Sequence, residues 1–353
     1  MSDSSTTHQP WWNHPALYAA MALVLLAMYA GGLRQPRTTQ PSPLAEEQAM
    51  LQALDARLTS ANISAALLQH PALALGMVLL LLAAAALWIV GAVLLLRRWL
   101  GRRAVPVIAA GSGPPPVWSL GDVARIVIVG LCAAHLLPIL QKFSRMLAGR
   151  AVGDLHVWML VSMVVVDGAA LLLVLLLASG KAQHWRMAIG WRTRGWLRDG
   201  RRGLLTYVTL MPALTLLMFV VIGLAAWRHY TPPPEPILGI FLNESHWPVL
   251  LIASLFVCLL GPLVEEVVFR GVLYAALRRR WGAHWGVIVS GGCFAALHTN
   301  LVGFLPIWLL GMTLAYLYET TGSLVPSITL HVVHNTTLIA FLWCTKALLS
   351  AIG

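Results

Sequence analysis

The sequence predicts an all-α protein, a polytopic transmembrane bundle of about eight or nine helical spans. Three observations carry that prediction. Of the 353 residues, 59% are hydrophobic and 10% are charged, whereas a soluble domain carries about 25% charged residues. The stretch Ala72 to Leu96 holds no charge over 25 residues, and about 20 such residues cross a bilayer. Comparable runs recur along the chain, and in lipid only helices or closed barrels satisfy every backbone group.

The apolar runs place spans at 16–33, 72–96, 123–140, 155–179, 203–227, 247–264, 285–298, 302–318 and 326–346. The first resembles a signal peptide in length, but no Lys or Arg precedes it and Met28-Tyr29-Ala30 is a poor cleavage site, so it reads as a retained span. Between the first two spans, Leu51, Leu54, Leu58, Ala61, Ala65 and Leu68 recur at three- and four-residue spacing. That pattern predicts an amphipathic helix over 44–69, lying on the membrane surface, meeting a partner or packing on its own bundle, the last being favoured. Gly111–Pro116 and Thr231–Pro236 read as linkers. Residues 1–200 thus form an N-terminal membrane region, and 201–353 a core whose last four spans carry the chemistry.

The net charge of +11 comes from Lys and Arg at the ends of apolar runs, which membrane topology and anionic lipids explain without nucleic acid. With the N-terminus cytoplasmic, fifteen of the 24 basic residues fall in cytoplasmic loops, including Arg97, Arg98, Lys181, Arg270 and Arg278. Eight fall on the opposite side, among them Lys142, Arg145 and Arg150, which run against the trend. The balance predicts N-in and C-out. Cys132, Cys258, Cys293 and Cys344 all lie in apolar stretches without a CxxC pair and read as small buried hydrophobes.

Ionisable residues inside spans are expensive, about 2.5–3.5 kcal/mol for a central charge, and mark functional positions. Asp167 is one in the fourth span, while Asp122 and Arg125 stand at a span edge. The last hundred residues hold the rest. Glu265 and Glu266 follow an uncharged run of 18 residues. Adjacent helical residues point about 100° apart, so the two carboxylates serve different contacts. Glu266 and Arg270 are four apart and suited to an ion pair. Glu265 is left without a local partner, free to act as a general base. Gly261-Pro262 just upstream frees a backbone carbonyl and can kink the helix. His298 ends an apolar run. His331 and Asn335 share one helix face, and both can donate to an oxygen atom; His334 faces elsewhere. Each motif has a structural reading of its own: an interfacial glutamate pair, a satisfied histidine, a polar helix–helix contact. Together they form a carboxylate, a histidine and a histidine–amide pair on three helices of one bundle.

Glu265-Glu266-xxx-Arg270, Phe294-xxx-His298 and His331-xxx-Asn335, in that order within about 247–346, resemble the CAAX protease and bacteriocin-processing family, intramembrane endopeptidases that include the Ras-converting CAAX prenyl endopeptidase. The resemblance implies hydrolysis of a peptide bond in a membrane-associated substrate, prenylated or leader-bearing. It implies that Glu265 activates water with help from His298, that His331 and Asn335 hold the oxyanion, and that Glu266 and Arg270 support the first helix. No cofactor is favoured. Zinc held by Glu265, His298 and His331 is the alternative, disfavoured because no two histidines share a helix as HExxH. Two other readings compete: a non-catalytic immunity or scaffold protein of the same fold, and a transporter relaying protons through Glu265 and Asp167. The expected location is a bacterial inner or plasma membrane, and the expected partners are lipids and a peptide or protein substrate.

The charge balance makes one topological prediction. Cysteines introduced at 97–122 and 180–202 should label from the cytoplasmic side, and those at 34–71 from the opposite side. Labelling of 34–71 from the cytoplasm alone would overturn the span assignment.

Overall fold

A computed structural model describes residues 10–32, 56–101, 117–148, 155–182, 184–192, 194–230, 240–241, 244–298 and 301–352. They form a helical bundle, and no strand occurs among them. Helix α1 is Pro15–Gly32, α2 Ser60–Gln69, α3 Pro71–Leu100, α4 Leu120–Ala148, α5 Leu155–Ser179 and α6 Trp196–Trp227. A continuous helical run, Trp247–Leu297, follows. Helices Leu301–Thr321 and Val325–Ile352 close the chain. Among the described residues seven helical segments are long and apolar enough to cross a membrane, and Pro15–Ala30 is a shorter apolar helix. The protein is an integral membrane protein.

The run Trp247–Leu297 covers 51 residues, about 75 Å at 1.5 Å per residue, more than twice the hydrocarbon thickness. It is folded back at Gly282, whose φ of 80° and ψ of 172° lie outside the helical region. A residue with a Cβ adopts that φ only with strain. The segment is therefore two antiparallel helices, α7 (247–281) and α8 (283–297). Leu301–Thr321 and Val325–Ile352 then become α9 and α10.

Helices α8 and α9 meet backbone to backbone. A Cβ on Gly311 would stand 2.9 Å from the Gly291 Cα and 3.3 Å from the Phe294 ring, and one on Gly291 would stand 2.8 Å from the Met312 nitrogen. Small residues at such crossings supply the close packing that holds membrane helices together, since lipid offers no hydrophobic drive between them. Helix α3 shows the opposite surface: Gly91 alone of its 30 residues is buried, and its leucines face outward as lipid contact requires.

Polar clamps close both ends of the bundle. At one end Glu244, 2% exposed, accepts from the backbone and Nδ1 of His246 at 2.7 and 2.8 Å and meets His156 Nδ1 at 2.9 Å. Lys346 Nζ donates to the Glu244 carbonyl at 2.7 Å. These contacts tie the starts of α5 and α7 to the end of α10. The backbone N–H of His246, helped by the two imidazoles, holds the Glu244 carboxyl down at about 2. At the other end Glu319 is fully buried, accepts from Tyr274 Oη at 2.7 Å and pairs with Arg278 Nε at 2.7 Å, and Lys181 pairs with Asp122 at 2.9 Å.

Two expectations change. Residues 33–55 lie outside the described residues, and the helix expected over 44–69 starts anew at Ser60: Thr59 accepts from the Asn62 backbone as its N-cap. Its packed side is Ile63, Ala66 and Leu67, while Ala61, Ala65 and Leu68 are exposed, Leu68 by 83%. The three-four spacing gives the helix but, beyond the half-buried Leu58, not its packed side. Helix α2 rests on α10, with Arg57 donating to the Leu349 carbonyl at 3.1 Å, so the packed alternative holds for its described part. The sixth span does not end at 264: the helix runs on through Val267, Val268 and Phe269 to the turn at Gly282, and Arg270, counted above as a loop cation, is 1% exposed within it.

The glycine crossing gives a direct expectation. Gly311→Val should lower stability by about 1–3 kcal/mol, the usual cost of overpacking, read as a lower midpoint of thermal unfolding in detergent. An unchanged midpoint would show that α8 and α9 are not held at this distance.

Candidate active site

The site is built on the middle of α7, where the helical register changes twice. Phe256–Leu260 and Val267–Tyr274 are π-helical, and Gly261–Glu266 between them is α-helical. In the first π-helical turn the Gly261 N–H bonds the Phe256 carbonyl, five residues back. The next donor in that register would be residue 262, but Pro262 has no N–H. The Val257 carbonyl is thereby freed, and Asn335 Nδ2 of α10 donates to it at 2.9 Å. The carbonyl expected to be released by Gly261-Pro262 thus anchors α10 against α7. Register changes of this kind recur at functional positions of helices.

One turn along, Glu266 is fully buried. Its Oε1 accepts from Arg270 Nη1 at 2.8 Å and from His331 Nδ1 of α10 at 2.9 Å. Arg270 also reaches the Gly311 carbonyl at 3.3 Å and lies over the Phe294 ring, 4.4 Å from its centroid. The Gly291–Gly311 crossing is what brings that carbonyl within reach. Phe294 touches the rings of Phe269 at 5.1 Å, His298 at 4.8 Å and His331 at 5.5 Å. It is the apolar wall shared by the candidate residues, a role its place in the Phe294-xxx-His298 motif did not announce.

Glu265 takes another direction. Its side chain is 33% exposed against 0% for Glu266, and its Oε2 lies 3.7 Å from His331 Nε2, beyond hydrogen-bond length. Glu265 Oε2, Glu266 Oε2 and Arg270 Nε are buried atoms without a hydrogen-bond partner among the described residues. His331 therefore stands between two carboxylates: Nδ1–H is committed to Glu266 and Nε2 is turned toward Glu265. In the neutral ring Nε2 accepts; protonated, it donates.

His298 caps the end of α8. Its Nδ1 is 2.9 Å from the Phe294 carbonyl, which leaves Nε2 as the free nitrogen. No hydrogen bond joins it to Glu265 among the described residues. The structure thus brings Glu265, Glu266, Arg270 and His331 into one polar cluster, joins Asn335 through Val257, and adds His298 through Phe294. His334 sits against Tyr207 of α6, ring centroids 5.8 Å apart. Asp167, singled out in the sequence for its position inside a span, is in electrostatic range of Glu265, because α5 packs on the Gly261–Glu266 segment. Spacing could not link the two, since nothing local relates α5 to α7.

Zinc needs three or four donors converging on one point. Among the described residues no three His, Cys, Asp or Glu side chains are so arranged. The Nδ1 contacts of His298 with the Phe294 carbonyl and of His331 with Glu266 leave Nε2 of each ring available, as in histidines that bind a metal.

These residues all fall within one stretch of known sequence type. Residues 247–337 match the Type II CAAX prenyl endopeptidase Rce1-like family. The match agrees with the resemblance read from the motifs and contains all three of them. A protein of Bacillus subtilis described as "Putative membrane peptidase YdiL" is 30% identical over 89 residues, 25% of this chain and 35% of its own length. An "Uncharacterized 24.3 kDa protein" of Escherichia coli is 27% identical over 104 residues, 28% of this chain and 48% of its own length. The chain thus spans from about a third to about half the length of these relatives. No solved structure matches.

The Asn335 contact makes a testable distinction. Asn335→Ala should orphan the Val257 carbonyl and cost about 1–3 kcal/mol. Asn335→Asp should cost more, because a carboxylate oxygen then faces a carbonyl oxygen. Chemical unfolding of both variants in one detergent decides the order, and equal stabilities would remove the contact from the account.

Proposed function

We propose that the protein is an intramembrane endopeptidase in which Glu265 activates the attacking water. The observation that carries this reading is the division of labour between neighbouring glutamates. Glu266 is fully buried and tied through Oε1 to Arg270 and His331, whereas the Glu265 side chain is 33% exposed and holds an unpartnered Oε2 3.7 Å from His331 Nε2. Two atoms at that separation can share one water, each at about 2.8 Å. The Rce1-like match over 247–337 supports a peptidase reading of this region.

The chemistry follows from those positions. Glu265 removes a proton from water as the new C–O bond forms at the scissile carbonyl. Negative charge gathers on the carbonyl oxygen, where the protonated Nε2 of His331 and the second amide hydrogen of Asn335 are the nearest candidate donors. Glu266 fixes the His331 ring through Nδ1. When the C–N bond breaks, Glu265 returns its proton to the leaving amine. His298, with Nε2 free, assists at the edge of the site. No step requires a metal. The substrate is a membrane-associated peptide or protein, prenylated or bearing a leader, delivered from the bilayer to a site inside it.

The test is cleavage by the purified, reconstituted protein of a panel of farnesylated and unmodified peptides, read by mass spectrometry. Glu265→Gln should lower kcat/KM by about 10²–10⁴, the usual contribution of general-base catalysis, with unchanged thermal stability. Activity within tenfold of wild type would remove Glu265 as the base.

A further inference from the structure

Away from the candidate active site, the segment between α5 and α6 forms a second polar feature with no counterpart in the chemistry above. The α5 helix ends at Ser179 and α6 begins at Trp196, and both are long and apolar enough to cross a membrane. The residues between them therefore join two such helices at one end of the bundle. A cavity of about 690 Å³ opens there, lined by Trp191, Arg192, Arg194, Gly195 and Arg198.

Three guanidinium groups line one cavity, and among the described residues no acidic side chain does. The carboxylate of Asp199, 4% exposed, lies 3.6 Å from Arg198 Nε and offsets that one charge. Gly195, the residue before α6, has a φ of 82° and gives the helix no side-chain cap, which leaves its positive end open toward the cavity. Around the arginines, Trp185, Met187, Trp196 and Leu197 are 39%, 58%, 59% and 69% exposed. Exposed tryptophans beside arginines, next to span ends, match the composition of the membrane interface.

We propose that this cavity binds the phosphate of an anionic glycerophospholipid, with the arginines donating to the phosphate oxygens and the exposed tryptophans and Leu197 set among the upper acyl segments. Guanidinium groups suit phosphate because their donors form paired hydrogen bonds. Basic pockets between transmembrane helices take anionic head groups on the same grounds. Charge complementarity selects an anion, and the apolar rim selects one carried by a lipid.

Native mass spectrometry of the full-length protein in detergent, offered equal amounts of dioleoyl-phosphatidylglycerol and dioleoyl-phosphatidylcholine, tests the site. Wild type should retain phosphatidylglycerol in preference by about tenfold or more, given three arginines near one phosphate. The variant R192Q/R194Q/R198Q should lose that preference and keep its helical circular dichroism. Equal retention of the two lipids by wild type overturns the proposal, as does a variant with undiminished preference. Inorganic phosphate displacing phosphatidylglycerol at equal concentration would show a site for the free anion and overturn the lipid assignment. If the triple variant does not fold, photo-crosslinking of wild type with a diazirine phosphatidylglycerol decides: labelling within 185–198 is expected, and labelling confined to other segments is contrary.

Discussion

The carboxylate of Glu266, fully buried in the middle of a membrane bundle, is the constraint to which the site is fitted. An unpaired charge there would cost several kcal/mol, so the fold must bring partners to it from elsewhere in the chain. Arg270 comes from one turn along α7 and His331 from α10. Arg270 in turn needs partners, and beyond Glu266 the Gly311 carbonyl takes Nη2 and the Phe294 ring lies under the guanidinium. That carbonyl is within reach only because Gly291 and Gly311 let α8 and α9 touch. Four helices are thus set in place by the needs of one charge.

The same arrangement leaves the adjacent position free. Because Glu266 holds His331 by Nδ1, Nε2 has a fixed direction, and that direction is toward Glu265 Oε2 at 3.7 Å. Proline reinforces the result from the other side: by withholding an N–H from Val257, Pro262 gives Asn335 an acceptor and fixes α10 a second time. Two ties, His331 to Glu266 and Asn335 to Val257, one turn apart on α10, define how it lies on α7. A reactive group needs this kind of support, since small displacements from the productive geometry are costly in rate.

Much of this was legible in the sequence because the bilayer imposes simple rules. Apolar runs marked the spans, and four-residue spacing indicated the Glu266–Arg270 pair that forms. What was hidden depended on register or on distant pairing. The run past 264 looked like a span end because charge appears at Glu265, yet Val267, Val268 and Phe269 continue the helix and Gly282 makes the turn. The family resemblance implies an oxyanion role for His331, and nothing in the spacing says that Glu266, 65 residues away, holds its other nitrogen. The partner of Asn335 followed from a π-helical register that no local pattern announces. In α2 the helix forms but its packed side is Ile63, Ala66 and Leu67, not the expected stripe, because Thr59 restarts the helix. Asp167 was conspicuous as a charge within a span, but its neighbour Glu265 could be found only by knowing that α5 packs on α7.

Glu266 and Arg270 act as one buried unit on which the site rests. A double-mutant cycle measures it most directly, using Glu266→Gln, Arg270→Met and the pair together, with unfolding free energies determined in a single lipid–detergent mixture. Strong coupling is expected: each single variant should lose about 3–5 kcal/mol by stranding a buried charge, and the double variant should be more stable than either. Additive losses, with a double variant weaker than both singles, would contradict it.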